Sequence, residues 1–197
     1  MENYWIFDFD GTLVDSEIAI KKCYKNVTRK IAPNRVHIAQ SIMVGPSLEE
    51  SSSEILGQNL LHLVPDFKNL FQKGYDEKIL FETLMYPNTE TILKILDERG
   101  DKMAIATNKR AQPTLSLIKH FKWDGYFEFI SCIDQFSEAK NKSEMVKSTI
   151  EKNPCFKNSY FVGDTLSDGR AAKENNLLFI RADYGYGLQD NWSGLTI

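Results

Sequence analysis

An apolar run from Tyr4 to Phe7 ends in two aspartates one residue apart, Asp8 and Asp10, followed at once by Gly11-Thr12. Side chains at i and i+2 of a strand share one side, so a strand continuing through this run would crowd two carboxylates together. That crowding is unfavourable unless a cation stands between or beside them. A hard ion with oxygen ligands and several retained waters, Mg²⁺, suits the arrangement. The same pair offers a carboxylate nucleophile. With average residue usage, an Asp-x-Asp-Gly-Thr string arises by chance in on the order of one chain in a thousand of this length. The chain is thereby constrained to a strand that stops where charge must be managed.

Other strand-like runs follow at Met103–Thr107, Phe127–Cys132, Tyr160–Val162 and Leu177–Ile180. Helical spacing lies between them. Thr89, Ile92, Leu93, Ile95 and Leu96 form one apolar face, with Gly100 as its C-cap. Pro113 suits the first turn of a helix carrying Leu115 and Ile118. Met145, Val146, Thr149 and Ile150 make a third helix, ended by Asn153-Pro154. Strands alternating with helices predict an α/β fold, a Rossmann-like doubly wound parallel sheet covered on both faces.

The interval from Ser16 to Tyr86 breaks this rhythm, with helix-like pieces and no convincing strand. Ile20, Tyr24, Val27 and Ile31 form one stripe; Leu48, Ile55 and Leu56 a second; Phe67, Leu70 and Phe71 a third. Pro33, Gly45-Pro46, Pro65 and Gly74 punctuate them. Such a crossover is far longer than one helix requires. It reads as an inserted α-helical domain over 16–86, against a core of 1–15 and 87–197; extra helices laid on the sheet are the competing arrangement.

The 197 residues carry a net charge of −3, which leaves no basic footprint for nucleic acid or an anionic membrane. Cys23, Cys132 and Cys155 show no short metal spacing, and their odd number fits reduced thiols rather than a disulfide framework. The N-terminus runs straight into the first strand, so no signal peptide is expected, and no apolar stretch approaches the roughly 20 residues that span a bilayer. A cytoplasmic protein is expected.

Three further segments sit just after strand-like runs, where open α/β sheets bind ligands. Thr107 and Asn108 follow the second run; a hydroxyl and an amide there either donate to an oxyanion or cap a helix. Lys140-Asn141-Lys142 precedes the helix of Met145. A lysine at a helix start opposes the dipole, unless it holds an anion as a point charge. Lys142, three residues before Met145, fits that duty better than Lys140, which stays a competitor. Gly163-Asp164 closes the fourth run, and Asp168 follows four residues later, so both carboxylates can face one point. Either Asp164 is a helix N-cap, or this second acidic pair shares a cation with Asp8. Tyr184 and Tyr186, in a Gly-spaced loop, either line a site or pack the loop.

Taken together these segments resemble the haloacid dehalogenase-like hydrolase superfamily along essentially the whole chain. Asp8-Phe9-Asp10-Gly11-Thr12, then Thr107, Lys142, and Gly163-Asp164 with Asp168 are similar to the four family motifs in order. Val44-Gly45-Pro46-Ser47-Leu48-Glu49-Glu50-Ser51, Phe81–Pro87 and Asp183–Gly187 resemble the phosphoglycolate phosphatase and 5′-nucleotidase-like branch. The resemblance implies a Mg²⁺-dependent phosphomonoester hydrolase with a helical cap that closes to exclude water. In that implied scheme Asp8 is the nucleophile and Asp10 the general acid and then base. Gly11, Thr107, Asn108 and Lys142 hold phosphate. Asp8, the backbone carbonyl of Asp10, Asp164 and Asp168 surround the metal. The expected substrate is a small phosphorylated metabolite, phosphoglycolate first and a nucleoside monophosphate next, with a phosphosugar mutase sharing every core motif. A monomer or homodimer is expected. Two departures are visible: Lys142 precedes Ser143-Glu144 where the family often has Pro, and the cap loop, with Ser41, Ser47 and Glu49, carries little positive charge.

Overall fold

A computed structural model describes residues 3–136 and 141–194. Its contacts separate two compact units, Met1–Asp15 with Met85–Ile197, and Ser16–Leu84. In the first unit, β1 (Tyr4–Phe7), β4 (Lys102–Thr107), β5 (Phe127–Cys132), β6 (Tyr160–Gly163) and β7 (Leu178–Arg181) form a parallel sheet in the order β5-β4-β1-β6-β7. The chain leaves β1 to one side through β4 and β5, then returns to its other side through β6 and β7. The strand order therefore reverses beside β1, and its carboxyl end opens onto the crevice where such sheets bind ligands. The predicted fold class holds.

Both faces of the sheet are covered by helices, as a parallel sheet requires. Ile6, Ala104, Ala106 and Phe161 point to one face and are fully buried against Met145, Val146 and Ile150 of α7 (Lys142–Lys152) and Ala171 and Ala172 of α8 (Leu166–Glu174). α5 (Thr89–Glu98) and α6 (Ala111–His120) pack beside β4 and β5. Alternation explains the division, since Ile6 and its neighbour Phe7 must face opposite ways.

Two local expectations fail. Only Thr89, Leu93 and Leu96 of α5 are buried, an i, i+4, i+7 edge, whereas Ile92 and Ile95 are half exposed. Leu115 of α6 is likewise half exposed, although Ile118 is buried. The interval expected to lack strands contains a short one, β3 (Leu84–Met85), too brief to show a period of two; β2 (Val14–Asp15) is of the same length.

The second unit builds its own core. α1 (Glu17–Ile31) contributes Cys23, Tyr24 and Val27, α3 (Leu48–Leu56) Ile55 and Leu56, and α4 (Val64–Glu77) Phe67, Phe71 and Tyr75, all buried. The rings of Tyr24 and Phe71 lie 4.9 Å apart, and those of Phe71 and Tyr75 5.3 Å, separations typical of favourable aromatic pairs. α2 (Val36–Ser41) sits between α1 and α3 in sequence. Ser47 and Glu50 close a capping box at the start of α3. No described helix is long and apolar enough to cross a membrane.

At the amino end of the sheet, away from the strand termini that carry the aspartates, Asp101 is buried and precedes β4. It accepts hydrogen bonds from the Asn3 backbone N–H and from Trp5 Nε1, each at 3.1 Å, with Arg99 at 3.5 Å. Burial alone would raise its carboxyl, but these donors outweigh that and hold it below its usual value. A carboxyl lowered in the folded state stabilises the fold above the unfolded-state value, and loses that contribution as pH falls through the folded one. Unfolding followed by denaturant between pH 2 and 6 should therefore show a flatter acid limb in Asp101→Asn than in the wild type. Parallel limbs would mean that the network carries no pH-dependent stability.

Candidate active site

Asp8 is the first residue after β1, and its N–H donates to the Val162 carbonyl of β6 at 2.8 Å. This bond ties the acidic turn to the strand that ends in Gly163-Asp164. Register does the rest: Phe7 faces Ile105 on one side and Val162 on the other. Residues distant in sequence thus leave the sheet side by side.

Asp8, Asp164 and Asp168 are buried, and each offers a carboxylate oxygen within 4.8 Å of the others. Lys142, the first residue of α7, is buried with them. Its Nζ stands 2.7 Å from Asp8 Oδ1 and also pairs with Asp168 Oδ1. Asn141 caps α7 by accepting from the Glu144 N–H, which fixes where the lysine enters. Lys140 lies outside the described residues.

Local chemistry sets each acidic side chain. Asp168 Oδ2 accepts from the Thr165 N–H at 2.8 Å and from Thr165 Oγ1 at 2.6 Å, a capping box that starts α8. Thr165 is therefore the N-cap, and Asp164 is not. Asp164 accepts from Thr12 Oγ1 at 3.1 Å and from the Tyr186 N–H at 2.7 Å. Gly11 passes beneath it with φ of 87°, and a Cβ there would collide with the Asp164 carboxylate. Only a glycine takes that backbone and that space together. Gly185 also presses on the Asp164 side chain, and Gly187 on its backbone carbonyl, each too closely for a Cβ.

The electrostatics are unbalanced. Burial, then the neighbouring Asp168 and Asp164, push the Asp8 carboxyl well above its usual range, against the opposing pull of Lys142. Asp164 is pushed up to about 6, chiefly by burial and then by Asp168. Burial disfavours the charged Lys142, but Asp168 and Asp8 outweigh it and raise its ammonium above the ordinary value. Among the described residues, three carboxylates face one ammonium, which leaves two negative charges in a site away from water. An all-oxygen donor set with that deficit fits a hard divalent cation. Asp8 and Asp164 could hold it directly, whereas Asp168 is committed on one oxygen to Lys142 and on the other to Thr165.

Asp10 stands apart from this cluster and contributes no carboxylate oxygen to it. Both of its oxygens accept from Lys109 Nζ, at 2.9 and 3.1 Å. Thr107, buried at the end of β4, accepts from the Lys109 N–H through Oγ1 at 3.1 Å, and Asn108 is exposed. The two buried thiols are not in contention: burial pushes Cys132 up to about 11 and Cys23 up to about 12, so neither supplies a thiolate near neutrality.

Of the residues expected from sequence, the structure brings Asp8, Lys142, Asp164 and Asp168 into mutual contact range. It puts Gly11 against Asp164, and Thr107 at the end of the strand beside β1. Sequence reasoning missed the Lys109 side chain, the Thr12 hydroxyl and the Tyr186 backbone. The Gly185-Tyr186-Gly187 spacing was the available signal for the last. Tyr184 OH donates to the Thr12 carbonyl at 2.9 Å, so this loop both packs and supports the site.

Comparison with known proteins is consistent along the chain. Residues 5–182 match the family described as haloacid dehalogenase-like hydrolase. A phosphoglycolate phosphatase from Rhodobacter capsulatus is 29% identical over 199 residues, covering 92% of this chain and 84% of that protein. A pyrophosphatase PpaX from Listeria welshimeri is 26% identical, covering 88% and 79% respectively. Among solved structures, a predicted phosphatase from Clostridium acetobutylicum superposes with a TM-score of 0.83 at 24% identity, covering all of this chain and 91% of its own; that likeness speaks for the fold.

Proposed function

Since the chain belongs to the haloacid dehalogenase-like hydrolase family and is a phosphatase of that family, we propose that it hydrolyses a small phosphomonoester through an aspartyl phosphate on Asp8. The observation that carries this reading is the buried contact of Lys142 Nζ with Asp8, 2.7 Å long, inside a cluster of three carboxylates. A carboxylate paired with a cation and shielded from water is a nucleophile whose anionic partner can be brought close without prohibitive repulsion.

The residues divide the chemistry. An Asp8 oxygen attacks phosphorus, the bond from phosphorus to the ester oxygen breaks, and that oxygen leaves with the electron pair and the proton of Asp10. Water then attacks the phosphorus of the aspartyl phosphate and gives a proton to Asp10, and the electron pair of the breaking bond returns to Asp8. Lys142 offsets charge on Asp8 and on the transferring group, and Thr107 with Asn108 and the Gly11 backbone are assigned to its oxygens. Mg²⁺, held by Asp8, Asp164 and the Asp10 carbonyl with Asp168 behind, would supply Lewis-acid charge and a template when bound. Phosphoglycolate is the first candidate substrate, after the Rhodobacter relative's name.

Orthophosphate release across 2-phosphoglycolate, nucleoside monophosphates, pyrophosphate and hexose phosphates, with and without EDTA, tests the whole reading. Release from at least one monoester, abolished by EDTA and restored by Mg²⁺, is expected. Isomerised sugar phosphate without free orthophosphate would indicate a mutase instead. Binding that fills the charge deficit should also raise the melting temperature of metal-free protein. A cation at 100 times its dissociation constant contributes about 2.7 kcal/mol, which is roughly 5–10 °C for a chain of this size.

A further inference from the structure

Lys109 lies on the turn after β4, where a lysine would ordinarily extend into solvent. Its side chain is instead 7% exposed, and its ammonium pairs with both oxygens of Asp10, a partner 99 residues away. Burying a lysine costs free energy unless its charge is paired, so the turn is built around this contact. Two features place it. β1 and β4 are adjacent, which sets their following turns side by side. The Lys109 N–H donates to Thr107 Oγ1, which folds the turn back toward β1. Asp10 keeps 19% of its side chain accessible, so one edge stays open to a reacting group while Lys109 grips it.

We propose that Lys109 is a positioning residue dedicated to Asp10: it orients the carboxyl toward the leaving oxygen and offsets the charge that appears on Asp10 once its proton has gone. The inference rests on Asp10 acting as acid and base, as above. Among the described residues, two cations then have separate duties, Lys142 serving the nucleophile and the phosphoryl group, and Lys109 serving proton transfer. The duties differ by leaving group. An alkyl alkoxide needs a proton as its bond to phosphorus breaks, whereas p-nitrophenolate departs without one. In phosphoryl transfer to Asp8, loss of Lys109 should therefore be felt on alkyl esters and barely on the aryl ester.

The test compares Lys109→Met, which keeps the aliphatic volume and the backbone bond to Thr107, with the wild type. The substrates are p-nitrophenyl phosphate and the alkyl monoester turned over fastest in the panel. General acid–base groups contribute about 10²–10⁴-fold, and a mispositioned one should lose roughly 10–100-fold in kcat/KM on the alkyl ester, the constant that reports phosphoryl transfer to Asp8 and not the later attack of water. The aryl ester should change less than about threefold in kcat/KM, because its leaving group departs without the proton of Asp10. Lys109→Arg should recover part of the alkyl rate. Equal losses in kcat/KM on the two esters, or no loss on either, would overturn the role while leaving the phosphatase reading intact. Wild-type protein that releases orthophosphate from neither ester would overturn both. Lys109→Gln and a melting curve for each variant separate misfolding from misplacement.

Discussion

Asp8→Asn should lower orthophosphate release at least about 10³-fold, since removal of a covalent nucleophile leaves only binding and charge stabilisation to act on the substrate. The same substitution should cost the metal-free fold nothing. Burial and two neighbouring carboxylates already disfavour the ionised Asp8, so a neutral side chain of the same shape relieves repulsion, and Lys142 keeps Asp168 as a partner. Melting in EDTA at neutral pH should therefore match or exceed the wild type. Activity within tenfold of wild type would remove Asp8 from the mechanism. A sharply lowered melting temperature would instead show that its carboxylate is structural.

Lys142→Met should have the opposite signature, losing stability and activity together. The lysine is buried between Asp8 and Asp168, with Asp164 beside them. Breaking a buried ion pair by deleting one partner typically costs about 3–5 kcal/mol, because the remaining charge is stranded. Urea titration at pH 7 in EDTA should show a midpoint shift of that size with little change in slope. Acidification toward pH 5 should return part of the loss, as carboxyls with raised values take up protons. In linkage terms, a carboxyl raised in the folded state gains relative stability as pH falls through its folded value. A cost below about 1 kcal/mol would show that water or rearrangement satisfies the carboxylates without the lysine.

The sheet was largely legible because its strands are short apolar runs bounded by turn residues. Fully buried parallel strands read that way irrespective of what covers them. The acidic pairs were legible for a related reason: each sits directly after such a run, and a parallel sheet delivers strand ends to one edge. The faces of helices were less legible. Ile92 and Ile95 belong to the same apolar stripe as Leu93 and Leu96, and only the docking angle of α5 decides which of them meets the sheet. Lys109 was beyond sequence reasoning, because a lysine in a polar turn looks solvated until the neighbouring strand is known to end in Asp10. Asp101 was hidden likewise, its partners Asn3 and Trp5 lying almost a hundred residues upstream.

The loop holding Gly185, Tyr186 and Gly187 lies beyond the last strand, yet its backbone closes around Asp164. A chain trimmed directly after β7 would keep every strand and all three clustered carboxylates while exposing that of Asp164 to bulk water. Truncation mapping of the catalytic domain would then place its minimal boundary past Gly187, in a segment that contributes no side chain to the reaction.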